Sequence, residues 1–347
     1  MDILKIKTNY MLVSRASTGI FLILEANKLK NARVMLPANI CYAAIYPVIY
    51  SGNKPVFCDV DSQTGNITYD IVFKEKDNID VLIAPHMYGN PIREISDIAK
   101  LCAENNILLI EDCASAMGAS VDGKLCGAYG DYAIYSTGYS KTIDVGGGGI
   151  VISNCSLNQF NEIYNSLPTF TDTDEANEDF FSKFYRLVRN MPLQSVSTNM
   201  WMSIKEPIRN VFIHNEKKYD EPIIESLKDL EKVIGERKRK QKMYESKIEP
   251  NDLCSIYTYE EGAVPWRFNI FVNQKYHRQM IDFLLERNVP VSDWYPISTN
   301  IFADEGKYLG AQYMEECILN FPLLIDDERI GYICENINDF WVKEKLL

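Results

Sequence analysis

The sequence predicts an α/β protein organised on a mostly parallel mixed sheet covered by helices. Short apolar runs recur at 34–37, 55–61, 81–86 and 107–112, the last three closing on polar residues, as in parallel strands buried on both faces. Helix-spaced stretches separate them at 39–50 and 92–105. A strand, helix, strand cadence of this length is that of a doubly wound sheet with right-handed crossovers.

In chain order, residues 13–30 begin with Ser14, Ser17 and Thr18 ahead of Ile20, Leu22, Ile23 and Leu24. Small hydroxyl residues before an apolar run mark a helix N-terminus, where the hydroxyls cap the helix or the free N–H groups hold a phosphate. The run at 81–86 ends on His86, followed by Tyr88-Gly89-Asn90-Pro91. A lone histidine in such a setting is read as structural ahead of catalytic.

Residues 108–153 are the centre of the chain. Leu108-Leu109-Ile110-Glu111-Asp112 and Asp131-Tyr132-Ala133-Ile134-Tyr135-Ser136-Thr137 both read as strands. Between them Val121-Asp122-Gly123-Lys124 carries an Asp-Gly turn signature, which would let the chain reverse and return to the same sheet. Asp112, Ser136 and Lys141 then fall at the carboxyl ends of neighbouring strands, where open α/β sheets bind ligands. Glu111 points to the opposite face from Asp112 and is read as structural. Four glycines, Gly146, Gly147, Gly148 and Gly149, follow and let the backbone pass close to a ligand or a partner.

Residues 154–215 carry less signal, with a polar loop at 169–174 and an aromatic helical stretch at 180–188. Residues 221–248 have the apolar spacing of one long amphipathic helix. Its basic run at 236–240 reads as a solvated face.

At 347 residues the chain can hold one large core or two domains. A net charge of -12 argues against a nucleic-acid binder, whose phosphate contacts need clustered cations. The nine cysteines lack C-x-x-C spacing, so neither a metal site nor a disulfide framework is expected, and the thiols should be reduced and mostly buried. The chain has neither a long apolar run nor a signal-peptide plan at its start, so a cytoplasmic, non-membrane protein is expected.

The segment from Glu111 through Asp112, Ala114, Ser115 and Gly118 to Ala119, then Gly130-Asp131, then Ser136 and Lys141, then the glycine run, resembles the DegT/StrS-type sugar aminotransferases of the aspartate aminotransferase fold. Their hallmark is E-D-x-A-x-x-x-G-A, a Gly-Asp pair, S-x-x-x-x-K and a glycine run. Pro55-Val56-Phe57-Cys58-Asp59-Val60-Asp61 and Asp293-Trp294-Tyr295-Pro296 extend the resemblance over nearly the whole chain, although Trp294 stands where histidine is common. The resemblance implies a large domain over 1–221 that binds pyridoxal 5'-phosphate (PLP) and a smaller C-terminal α/β domain over 222–347.

It also implies roles. Lys141 would hold the cofactor aldehyde as a Schiff base and then move the proton. Asp112 would keep the pyridine nitrogen protonated. Ser136 would bind the phosphate, with Ala16 and Ser17 where the family has a Gly-Thr pair. Ser115 stands where Gln or His meets the ring or its phenolic oxygen. Cys41 replaces the usual stacking aromatic, with Tyr42 beside it as the alternative. Asn210 or Asn215 is the candidate for a cross-subunit phosphate contact.

The implied activity is transamination of a nucleotide-linked deoxy-keto-hexose by an amino-acid donor such as glutamate, for surface polysaccharide or related amino-sugar biosynthesis. The implied unit is a homodimer with a shared site. Two other readings accompany it: a PLP-dependent sugar dehydratase, whose members carry His at the lysine position, and a PLP-binding regulatory or sensor protein without turnover.

Overall fold

The architecture is that of a computed structural model, which describes residues 2–188, 203–299, 302, 304 and 306–343. In chain order the first part comprises β1 (Asn9–Val13), α1 (Ala16–Ala26), β2 (Arg33–Pro37), α2 (Tyr42–Tyr50), β3 (Lys54–Cys58), α3 (Tyr69–Glu75), β4 (Val81–Pro85), α4 (Ile95–Glu104) and β5 (Leu108–Asp112). A hairpin of β6 (Ser120–Val121) and β7 (Lys124–Leu125) follows, then β8 (Tyr132–Ser136) and β9 (Gly149–Ser153). The main sheet is seven-stranded, in the order β1-β9-β8-β5-β4-β2-β3. It is parallel except at β9, which runs antiparallel to both β8 and β1. Every residue of β4 and of β9 is buried, because helices cover both faces and the strands need no polar alternation.

The strands on either side of the expected turn do lie side by side, with Asp112 opposite Ile134. The turn itself belongs elsewhere. Asp122 and Gly123 both take positive φ (49° and 75°), the geometry of a two-residue hairpin turn, and β6 and β7 pair only with each other in a separate two-stranded sheet.

Next come α5 (Asn158–Ser166), α6 (Asp172–Val188) and α7 (Arg209–Phe212). Part of the expected polar loop at 169–174 is helical, since Asp172, Asp174 and Glu175 occupy the first turn of α6, where acids meet the positive end of the helix dipole.

The single helix expected at 221–248 is two, α8 (Asp220–Leu227) and α9 (Leu230–Lys247). The N–H groups of Lys228 and Asp229 bond back three residues to Glu225 and Ser226 (3.1 and 3.2 Å), which tightens and closes the first helix. Ile223, Leu230 and Ile234 pack with Ile150 and Ile152 of the main sheet, whereas Tyr244 and Ile248 pack in a second core. Helix α9 therefore runs from one core to the other.

Its basic run is not a solvated face throughout. Arg237 and Lys240 are buried: at helical spacing from Ile234 they continue the inward stripe towards Tyr244. There Lys240 meets Asp327 (2.8 Å).

The second core lies on an antiparallel three-stranded sheet of β10 (Cys254–Ile256), β11 (Phe268–Val272) and β12 (Ile318–Phe321). It is covered by α10 (Gln274–Glu286), α11 (Leu309–Cys317) and α12 (Asp327–Lys343). Tyr244 stacks on Phe268 at 4.5 Å in its centre.

The two parts are joined at the turn after β4. Val264 N–H donates to Gly89 O (3.0 Å) and Trp266 N–H to Tyr88 O (2.9 Å). Gly89 has φ +82°, and a Cβ there would lie 1.9 Å from Val264 O. Gly89→Ala should thus cost about 3 kcal/mol or more through combined strain and clash. Gly235→Ala, in α9 with open space around it, should stabilise by about 0.5–1 kcal/mol. Urea unfolding midpoints of both variants check the pair; equal stability of Gly89→Ala and wild type would contradict the close approach.

Candidate active site

Strand β5 ends on two carboxylates that alternate between faces. Glu111 is fully buried and accepts N–H bonds from Tyr129 and Gly130 on Oε1 (both 2.6 Å) and from Gly127 on Oε2 (2.8 Å). His86 Nε2 lies 3.1 Å from the same Oε2. Because His86 Nδ1 accepts from Ile92 N–H (3.0 Å), Nε2 carries the proton and donates it to Glu111. The structural readings of His86 and Glu111 both follow from this set of bonds. Burial by itself would raise the Glu111 carboxyl, but the His86 bond and the Gly130 and Gly127 N–H groups outweigh it and hold it below its ordinary range. Cys113 joins these two residues in a cluster whose candidate ligand atoms lie within 4.8 Å of one another. The bonds just given satisfy the histidine and the carboxylate without an ion.

Asp112 faces the other way. Its Oδ1 accepts from Ala114 N–H (2.9 Å), and its other oxygen takes no hydrogen bond among the described residues. Burial pushes this carboxyl up, against the Ala114 bond and the positive charge of Lys141.

Lys141 follows β8 on a loop that the C-terminal part holds in place. Arg237 Nη2 donates to Lys141 O (2.8 Å), Trp266 Nε1 to Ser140 O (2.9 Å) and Arg267 Nη2 to Ser140 Oγ (3.2 Å). Ser140 itself sits at φ +66°. The Lys141 amine donates to Ser115 Oγ (3.0 Å), and Ser115 Oγ lies 3.4 Å from the Tyr295 hydroxyl. Tyr295 stacks on Trp266 (5.3 Å). Lys141 thus has a hydroxyl partner and, among the described residues, no carboxylate within ion-pair distance.

Two cavities flank this centre, with Tyr42 and Tyr139 lining both. One, of about 520 Å³, is lined by Ala16, Ser17, Ser136 and the loop glycines Gly146, Gly147 and Gly148. The other, of about 630 Å³, is lined by Cys41, Lys141, Trp266, Arg267 and Tyr295 among others.

The residues singled out in the sequence are placed as follows. Ser136 accepts from Gly138 N–H (3.3 Å), and its own proton has no acceptor among the described residues. The hydroxyl of Ser17 is committed to Phe212 O (2.7 Å), which leaves its first-turn N–H as the group able to face an anion. Cys41 stands at the N-cap position of α2 without a side-chain capping bond and lies within electrostatic reach of both Lys141 and Asp112; burial pushes its thiol up. The neighbouring Tyr42 ring packs against Phe181 and Tyr185 (5.1 and 4.5 Å). Trp294 stacks on Tyr185 at 5.8 Å. Asn210 O takes a bond from His214 Nδ1 (2.7 Å), and Asn215 pairs with Thr169.

The residues missed were Arg237, Trp266, Arg267 and Tyr295. Arg237 had a sequence signal in its place on the buried stripe of α9, and Tyr295 had one in the Asp293-Trp294-Tyr295-Pro296 segment.

Comparison with known proteins adds the following. Residues 5–177 match the model of the DegT/DnrJ/EryC1/StrS aminotransferase family. The chain is 25% identical over 327 residues to GDP-perosamine synthase of Escherichia coli O157:H7, which covers 89% of this chain and 79% of that protein. Among solved structures it resembles the aminotransferase TlmJ from Streptoalloteichus hindustanus, with TM-score 0.74, 20% identity and coverage of 99% of this chain and 89% of that one. It also resembles Escherichia coli GDP-4-keto-6-deoxy-D-mannose-3-dehydratase with bound hydrated PLP, with TM-score 0.71, 17% identity and coverage of 96% and 89%. Among the described residues no helix is long and apolar enough to cross a membrane.

The Glu111 bonds generate a pH expectation. Its folded-state pKa lies below the ordinary 4.5, so its stabilisation is present above that pH and is lost as pH falls through the folded value. Glu111→Gln turns one acceptor oxygen into a donor facing N–H groups, and should lower stability at pH 7 by about 3 kcal/mol. Urea midpoints measured from pH 7 to 3 should converge for the two proteins at the acid end; parallel curves would show that Glu111 is not ionised in the fold.

Proposed function

The chain belongs to the DegT/DnrJ/EryC1/StrS aminotransferase family, and from that premise we propose that it is a PLP-dependent aminotransferase that converts a nucleotide-linked keto sugar to an amino sugar with an amino-acid donor such as glutamate. The observation that carries this reading is the Lys141 amine, held at 3.0 Å by Ser115 Oγ in an open cleft, within electrostatic reach of the buried Asp112. The 4-keto-hexose class is carried over from the likeness to dTDP-4-dehydro-2,3,6-trideoxy-D-glucose 4-aminotransferase of Saccharopolyspora spinosa, and the role in surface polysaccharide from that to lipopolysaccharide biosynthesis protein RfbH of Salmonella typhimurium. Lys141 at the S-x-x-x-x-K position favours transamination over the dehydratase reading.

The donor set fits the cofactor. An amine without a carboxylate partner suits an aldehyde, a carboxylate with one free oxygen suits a pyridinium nitrogen, and the Ser136 hydroxyl with the first turn of α1 at Ala16 and Ser17 suits a phosphate. When bound, PLP supplies the carbonyl that takes up the amino group and a protonated ring that draws electrons from the reacting carbon. Lys141 Nζ would then act as the base that takes the proton from the substrate carbon bearing the amine and as the acid that returns it to the cofactor carbon. Ser115 orients Nζ, and Asp112 would meet the ring nitrogen with the oxygen that its one internal bond leaves free. Trp266, stacked on Tyr295, forms an apolar wall beside Nζ, 5.8 Å from the indole.

Borohydride treatment of the PLP-loaded protein should fix the cofactor on Lys141, and Lys141→Ala should lose on the order of 100- to 10,000-fold or more in rate. Asp112→Asn should keep the yellow cofactor yet lose on the order of 100-fold, the effect of a two-unit fall in ring-nitrogen pKa. Label on another lysine, or near wild-type rates in either variant, would overturn the assignment. A protein that binds PLP but keeps its colour with every amino acid tried would instead be a sensor.

The active unit is a homodimer on this reading, supported by the glycine run that borders the first cavity and by two-fold pairing as the commonest assembly. Sedimentation velocity at assay concentrations should give twice the chain mass; a fully active monomer would rule it out.

A further inference from the structure

Arg15 stands between β1 and α1, and its backbone is fixed on both sides. It pairs with Gly148 in a parallel bridge, and its carbonyl accepts the first bond of α1 from Gly19 N–H (3.2 Å). The side chain is the part left free to turn. It lines the cavity of about 520 Å³ that Ala16, Ser17 and Ser136 also line, where its Nη2 donates to both oxygens of Glu178 on α6 (2.6 and 2.7 Å). The two side chains are 30% and 39% exposed, so water reaches the pair and little free energy opposes a change of partner.

The charges around this cavity are set against an anion. Asp172, Glu175, Glu178 and Glu216 line it, with Arg15 and Lys218 as the cations among the described residues. Each cation is already engaged by one of those acids, Lys218 by Glu216 at 2.8 Å. His214 lines it too, and burial, followed by the charge of Arg15, pushes its imidazole down to about 4, so it adds no charge at pH 7. Yet the same cavity holds the first-turn N–H of Ser17 and the Ser136 hydroxyl, the donors suited to a phosphate. A dianion seated on them faces four carboxylates unless one cation changes partner. Arg15 is the one in place, two residues before Ser17, whereas the Lys218 side chain is 57% exposed and rests on the Tyr219 ring (4.9 Å). Its guanidinium fork suits a phosphate as well as it suits the carboxylate it now holds.

We propose that Arg15 is a ligand of the cofactor phosphate and that Glu178 competes for it: when the phosphate binds, the guanidinium passes from Glu178 to the phosphate. The inference rests on the PLP reading above and adds a residue pair that sets cofactor affinity. One charge-assisted contact replaces another, and the dianion attracts the guanidinium more strongly than a single carboxylate does. Glu178, released on the exposed side of the pair, is solvated by water. Helix α6 then loses its tie to the start of α1, so cofactor binding and the seating of α6 are linked through one arginine.

The test titrates the full-length protein, freed of cofactor, with PLP and separately with pyridoxal, which carries the same ring and aldehyde without the phosphate. The visible band reports binding of each. Arg15→Gln should weaken PLP about 30-fold, the loss of one charge-assisted contact, and leave pyridoxal unchanged. Glu178→Gln removes the competitor and should tighten PLP on the order of tenfold, again with pyridoxal unchanged. The double variant should match Arg15→Gln, because nothing is left for the carboxylate to withhold, and Arg15→Lys should fall between Arg15→Gln and wild type. Urea midpoints report folding; where Arg15→Gln does not fold, Arg15→Lys and Glu178→Gln decide in the same titrations. An ion pair that only braces α6 would make both single variants weaken PLP and pyridoxal together, and that outcome overturns the proposal. Unaltered PLP affinity in the Arg15 variants, or weaker PLP binding in Glu178→Gln, overturns it as well. A wild type that takes up neither PLP nor pyridoxal overturns the cofactor reading itself, and is told apart because the unmutated protein is then silent.

Discussion

The Glu111 carboxylate is buried and takes its bonds from Tyr129, Gly130, Gly127 and His86. These groups come from the loop that leads into β8 and from the end of β4. One side chain thereby ties the ends of two strands and the entry to a third around the end of β5. A buried carboxylate is tolerable only when such donors surround it. The same constraint aims Asp112: on a strand neighbouring residues face opposite sides, so securing Glu111 on one side sets Asp112 on the other. The two acids are adjacent in the chain and opposite in situation, one saturated by N–H groups and the other left with a free oxygen.

The lysine loop depends on a second constraint, which the C-terminal part supplies. The contacts of Arg237, Trp266 and Arg267 with Lys141 and Ser140 cross from α9 and the approach to β11 onto the loop after β8. A loop rich in glycine is mobile in isolation; here cationic and indole donors pin its carbonyls on either side of the reactive amine. The amine is thus positioned by two cores at once, because α9 spans both. Arg237 shows how: buried on its helix, it donates to Pro265 O, Trp266 O and Lys141 O, so the segment that carries Trp266 and the loop that carries Lys141 share one guanidinium.

Much of the fold was legible because its signals are local. The parallel strands showed as buried apolar runs, and the Asp-Gly turn showed as a hairpin. Where local signals misled, a tertiary term had overridden them. The 221–248 periodicity was right in face but not in continuity, since the closing turn at Lys228 and Asp229 leaves the stripe in phase. The basic run was misread because a charge on the inward stripe is tolerated when carbonyls or an acid wait for it, as Pro265, Trp266 and Asp327 do.

By itself the sequence determined the α/β class, the strand ends that carry Asp112, Ser136 and Lys141, and the opposite facing of Glu111, all of which follow from period and spacing along one stretch. Only the tertiary structure decided what those groups meet: Tyr295 by Ser115 across 180 residues, Trp266 on Ser140 across 126 and Arg237 on Lys141 across 96. It also turned Tyr42 towards Phe181 and Tyr185 and left Cys41 near the reactive pair. The physical reason is that periodicity specifies which face of an element is buried, while the identity of the atom opposite depends on how distant elements pack.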